Sequence, residues 1–189
     1  MDTALRKKIG REEFDYPALM DALSYYANPR DRATVLLRRG DIIRVKKGLY
    51  VFGDELRLRP YSRELLANLI YGPSFISLDS ALVYHGLIPE RVEAITSVTP
   101  KRPKRISTPV GLFIYRQTPK ISFHLGMDRI EERDIAFLIA VPERALADKI
   151  RSERGHPLRT QVDMSRYLFE DLRVERDGYL KLDPELLDE

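Results

Sequence analysis

Few residues in this chain are of the types that build a catalytic centre, and their spacing argues against one. There is no cysteine, and the three histidines are His85, His124 and His156. Disulfides, cysteine-ligated metal sites and thiol catalysis are therefore excluded, and the histidines are too scattered to suggest zinc. Asp79 and His85 fall on one expected helix, but acid–base chemistry needs a third, orienting partner that the sequence does not offer. No glycine-rich phosphate loop, Gly-x-Ser-x-Gly elbow or His-Glu-x-x-His is present. A nuclease would place an Asp and a Glu-x-Lys on a strand; the nearest acid–lysine pair, Asp148-Lys149, is adjacent on an expected helix. Glu143 follows Pro142 at a helix start, where a carboxylate offsets the positive end of the dipole. His85, beside Gly86, reads as a packed or capping histidine. No catalytic residue, metal or cofactor is expected.

The residues that do form a chemical pattern are arginines. Between Asn28 and Gly40, spacing predicts a helix with Asn28 as N-cap, Pro29 at N1, Asp31 close to a capping box and Gly40 at C′. At 100° per residue, Ala33, Leu36 and Leu37 share the core face. Arg32, Val35, Arg38 and Arg39 point the opposite way, with Arg30 and Thr34 on the flanks. Arginines opposite a buried stripe suit a helix laid in a major groove.

The elements around that helix complete a module over residues 1–55, read as helix, helix, helix, hairpin. Asp15 caps a helix beginning Tyr16-Pro17, with Ala18, Leu19, Ala22 and Leu23 as its apolar stripe. Residues 24–27 turn the chain. After Gly40, two β-prone runs, 42–45 and 49–52, flank Lys46-Lys47-Gly48 and predict a hairpin with a basic tip. The expected assembly is a winged helix-turn-helix. Arg32, Thr34, Val35, Arg38 and Arg39 would face the groove, and Arg30, Arg44, Lys46 and Lys47 would hold phosphates. The bland alternative is a helical module whose basic surface serves protein contacts.

Residues 54–60 read as a short polar connector. The remainder, 60–189, predicts an α+β domain with a mainly antiparallel sheet: helices over 62–70, 78–85 (capped by Ser77), 143–154 and 161–172, and strands over 95–99, 111–116, 121–124 and 135–141. Lys101, Arg102, Lys104 and Arg105 fall in an expected exposed loop between strands. They form a second basic patch for DNA, RNA or a protein partner.

Charge is segregated along the 189 residues. The total is +3, yet residues 98–120 hold six basic and no acidic side chains, and the chain is acidic after 120. The N-terminus shows no apolar run after its first residues, so no signal peptide is expected. The longest apolar run, 135–141, falls far short of the roughly 20 residues a membrane span needs. A cytoplasmic protein without membrane contact is expected.

Four segments resemble the AbiEi-type antitoxins of type IV toxin–antitoxin (abortive infection) systems. They are GDIIRVKKGLY (40–50), ISLDSALVYHGLIPE (76–90), ITSVTPKR (95–102) with GLFIY (111–115), and IAVPERALAD (139–148). The likeness spans roughly residues 14–150 in order. It implies a winged-helix domain that binds operator DNA and represses its own operon. It also implies a C-terminal domain that opposes a nucleotidyltransferase-like toxin, with direct contact between the two left open. Paired half-sites in an inverted repeat would suit such a repressor. Two other readings stand beside it: a stand-alone winged-helix regulator whose C-terminal domain senses a ligand or partner, and an enzyme built around Asp79, His85 or Glu143.

Overall fold

The computed structural model describes residues 3–132, 134–153 and 160–183. The chain is a mixed α and β structure. Its first part runs α1 (Thr3–Lys8), β1 (Glu13–Asp15), α2 (Tyr16–Ala22), α3 (Pro29–Arg39), β2 (Ile42–Lys46) and β3 (Leu49–Phe52), with the strands antiparallel in the order β1-β3-β2. Asp15 caps α2 as expected, its carboxylate accepting from Ala18 N at 2.9 Å. Asn28 holds the N-cap position of α3, but its side chain makes no cap bond. The expected capping box is absent, and Pro29 alone marks the start. Gly40 ends α3 at φ 75. Gly53 passes so close that a Cβ there would stand 1.8 Å from the Gly40 carbonyl oxygen. Only glycine fits.

Every residue of β3 is buried. Tyr50 and Phe52 join Leu5, Phe14, Leu19, Leu36 and Ile42 in a small core under the helices. Leu49 and Val51, on the other face, join the large core of the second part. Strand alternation explains the division, since successive side chains leave opposite faces. The connector is tied down as well. Glu12 and Glu13 are buried. Glu12 Oε1 accepts from Arg6 at 2.7 Å and from the Leu58 amide at 3.1 Å. Glu13 accepts from both terminal nitrogens of Arg59, at 3.2 and 3.3 Å, and from Ser62 N. Arg59 also reaches Asp134 at 2.9 Å.

The second part contains α4 (Arg63–Ile70), β4 (Phe75–Ile76), α5 (Leu78–Tyr84), β5 (Ile95–Thr99), β6 (Lys104–Thr108), β7 (Gly111–Gln117), β8 (Met127–Glu132), β9 (Ile135–Ala140), α6 (Pro142–Ser152), α7 (Gln161–Arg166) and α8 (Arg176–Tyr179). The six strands lie in the order β6-β7-β5-β4-β9-β8. The sheet is mixed rather than mainly antiparallel: β5–β7 and β4–β9 are parallel, and the other three pairs antiparallel. Helix α4 packs on β4, β5 and β9, while α5 and α6 pack on each other.

Several expectations shift. Residues 121–124 form turns rather than a strand, because the carbonyls of Ser122 and Leu125 bend inward to accept from Arg144. Lys104 and Arg105 belong to edge strand β6 rather than a loop. The polar β8 was not expected. The helix expected over 161–172 is α7 followed by a π-helical turn at Tyr167–Asp171. The expected helix end at Arg154, and His156, lie outside the described residues. Among the described residues no helix is long and apolar enough to cross a membrane.

Two stability measurements follow from these contacts. Glu13→Ala leaves the Ser62 amide without its acceptor and the Arg59 guanidinium with Asp134 as its remaining carboxylate, and should cost about 2–3 kcal/mol in urea unfolding. Burial also holds the Tyr115 phenol, which donates to Ala67 O at 2.7 Å, above its ordinary pKa of 10.0. The unfolded chain therefore loses that proton first, and stability should fall as pH rises above about 10. Tyr115→Phe should flatten part of that fall in urea midpoints taken across the range.

Candidate nucleic-acid interface

Helix α3 buries Ala33 and Leu36 and leaves Leu37 half-buried, as its periodicity requires. Arg30, Thr34, Val35, Arg38 and Arg39 are exposed on its outer side. Val35 is 40% exposed, an apolar patch among cations of the kind that meets a thymine methyl. Thr34 Oγ1 donates back to Arg30 O at 3.1 Å. Arg39 pairs with Asp41 at 3.1 Å, whereas Arg30 and Arg38 make no ion pair among the described residues. Arg32 is half-buried, its guanidinium 5.1 Å from the centre of the Tyr26 ring. Tyr26 stacks on Tyr25, whose other neighbour is Lys8 of α1. This cation–aromatic stack beside α3 was not foreseen. In the sequence Tyr25 and Tyr26 mark only a turn, although adjacent aromatics close to arginines are a detectable signal.

Behind α3, the hairpin places Arg44 on the same face of β2 as buried Ile42, and Lys47 in the exposed turn. Lys46 differs from the expected phosphate contact. Its ammonium donates to the carbonyls of Leu69 and Ile70, at 2.7 and 2.8 Å, at the end of α4. Desolvation there, followed by the nearby Lys104, lowers its pKa. A lysine on a helix C-terminus satisfies orphan carbonyls and the negative dipole end together. The second basic patch meets the same place. Lys101 donates to Gly72 O at 2.7 Å, and Lys101 and Lys104 both approach the Tyr71 ring, at 5.6 and 5.2 Å. Arg102 and Arg105 are exposed, Arg105 on the opposite face of β6 from Lys104. Lys46 of the hairpin and Lys101 and Lys104 thus meet at the end of α4.

The residues weighed for chemistry have structural partners. His85 Nε2 lies 2.8 Å from Ala140 O. Asp79 pairs across helices with Lys149 at 2.9 Å, and Lys149 reaches Glu153 at 3.0 Å. Burial works to lower the Lys149 pKa, but these bonds reverse it and leave it raised, unlike a lysine set to act as a base. Glu143 is buried and accepts from Asp183 N at 3.0 Å. Ser77 does not cap α5; its hydroxyl donates to Asp148 at 2.8 Å. Asp148 also accepts from Arg144 Nε at 3.0 Å, while Arg144 donates to Thr118 Oγ1 at 3.0 Å. Among the described residues, no group of three or more metal-ligating side chains is assembled.

No protein-family model and no curated protein matches this chain.

The two kinds of arginine separate cleanly by mutation. Arg144→Ala leaves Asp148 buried without its partner and should cost about 3–5 kcal/mol. Arg38→Ala, on an exposed helix face, should stay within about 0.5 kcal/mol of the wild type. Denaturant melts of the two variants check both values.

Proposed function

We propose that the protein is an AbiEi-type antitoxin of a type IV toxin–antitoxin system, acting in the cytoplasm. In this reading residues 1–55 are a winged helix-turn-helix that binds the protein's own operator, and residues 60–189 oppose a nucleotidyltransferase-like toxin. The observation that carries the DNA half is α3, which turns Arg30, Arg38, Arg39, Thr34 and Val35 to solvent while Ala33 and Leu36 anchor its other side. The short α2–α3 connection over residues 23–28 and the β2–β3 hairpin support a winged-helix reading, with Arg44 and Lys47 offered to phosphates. Lys46 serves the fold in this scheme. The toxin half rests on the resemblance of residues 76–148, and direct contact with the toxin is not part of the proposal.

A stand-alone regulator with a ligand-sensing second domain is favoured by one observation, a cavity of about 760 Å³ between β5, β7 and α6. A neighbouring gene for a nucleotidyltransferase-like protein, whose toxicity is relieved by co-expressing this chain, separates the two readings. Failure of that rescue removes the antitoxin role.

Gel shifts on the chain's own upstream DNA, against scrambled DNA of equal length over a salt series, test the DNA half. Tight, sequence-dependent binding is expected, lost when Arg38 and Arg39 are both changed to Glu with the circular dichroism spectrum unchanged. Lys47→Ala should reduce the salt slope by about one. Weak binding that is equal on both DNAs and vanishes with salt would overturn it.

A further inference from the structure

The cavity of about 760 Å³ has a construction of its own, away from α3. Parallel pairing sets Thr96 beside Ile114 and Val98 beside Arg116. These four side chains therefore share one face of β5 and β7, and all line the cavity. Helix α6 faces them with Lys149, Arg151 and Glu153, and α5 adds Asp79. The volume lies within the roughly 300–1,000 Å³ typical of small-molecule sites.

The charges lining it are not all neutralised internally. Lys149 is held by Asp79 and Glu153. Asp148 is held by Arg144 and Ser77 through Oδ2. Arg151 lies 3.8 Å from the other oxygen of Asp148, without a hydrogen bond, and Arg116 is exposed with no ion pair among the described residues. Two guanidiniums, one on the sheet and one on the helix, thus face one cavity with donors to spare, and the guanidinium fork matches phosphate. Val98 and Ile114 give an apolar floor. The carboxylates of Asp79 and Glu153 are acceptors suited to hydroxyl or amine donors. Leu78, also in the lining, sits at φ 57. A leucine held in that left-handed conformation is strained, and such strain gathers at ligand sites.

We propose that this cleft binds a mononucleotide, its phosphate held by Arg116 and Arg151, its ring on Val98 and Ile114, and its hydroxyl or amine donors toward Asp79 and Glu153. A mononucleotide carries all three complements: a phosphate, a planar ring, and hydroxyl or amine donors.

The test is calorimetric titration of the full chain, without DNA, with AMP, GMP, CMP and UMP, the four nucleosides and inorganic phosphate. At least one mononucleotide should bind, with its nucleoside and phosphate weaker by about tenfold or more. Arg116→Ala and Arg151→Ala should each weaken it by about tenfold with an unchanged melting temperature. Ile114→Ala, which keeps both guanidiniums, should weaken the mononucleotide but leave phosphate binding as it was. The proposal is overturned if no mononucleotide binds, if phosphate alone binds equally well, or if the arginine variants bind like the wild type. The titration contains no DNA, so its failure leaves the operator result standing, and the reverse also holds.

Discussion

Four consecutive residues of β3, Leu49–Phe52, are buried, and they alternate between two cores. Few strands in so small a sheet are covered on both faces, and the consequence reaches the whole molecule. Tyr50 and Phe52 need α1, α2 and α3 above them; Leu49 and Val51 need the large core beneath. A shift of one residue would exchange the two sets. The tight pass of Gly53 over Gly40 holds the end of the strand. The helix that carries the exposed arginines is thereby positioned by the same strand that seals the second part of the chain.

Polar contacts fix what the shared strand begins. Glu12 and Glu13, buried at the start of β1, draw in the Leu58 and Ser62 amides and the Arg59 side chain. Lys46 bridges the hairpin to the end of α4. Residues 54–60 therefore act as a clamp rather than a free connector. The six-stranded sheet also carries a charge contrast between its two edges. Edge β6 exposes Lys104 and Arg105, while edge β8 exposes Asp128, Glu131 and Glu132. Charged edges also resist unwanted strand pairing. The basic edge lies near the hairpin, as the effect of Lys104 on Lys46 shows.

How much of this could be read from the sequence depended on range. Features set within one turn of chain were readable: the Asp15 cap, Pro29, Gly40, and the faces of α3. The candidate surface was readable for the same reason, since helical periodicity alone separates Ala33 and Leu36 from Arg38 and Thr34. Elements whose partners are distant in sequence were not. Strand β1 is three residues long and exists by pairing with β3. Strand β6, Lys-Arg-Ile-Ser-Thr, has one apolar residue and gains its form from β7. Residues 121–124 alternate like a strand but bend around Arg144. Lys46 looked like a wing-tip cation because nothing nearby in sequence announces the end of α4. Ser77 is placed as a cap yet bonds to Asp148, 71 positions away.

The central claim is that α3, held by β3, is the surface that meets operator DNA. Backbone amide chemical shifts of the full chain, followed while its own upstream duplex is added at moderate salt, test it most directly. The expected result is perturbation concentrated in α3 and the Lys47 turn, with the β8 edge silent. Perturbation confined to the β6 edge and residues 101–105, with α3 unchanged, would contradict it.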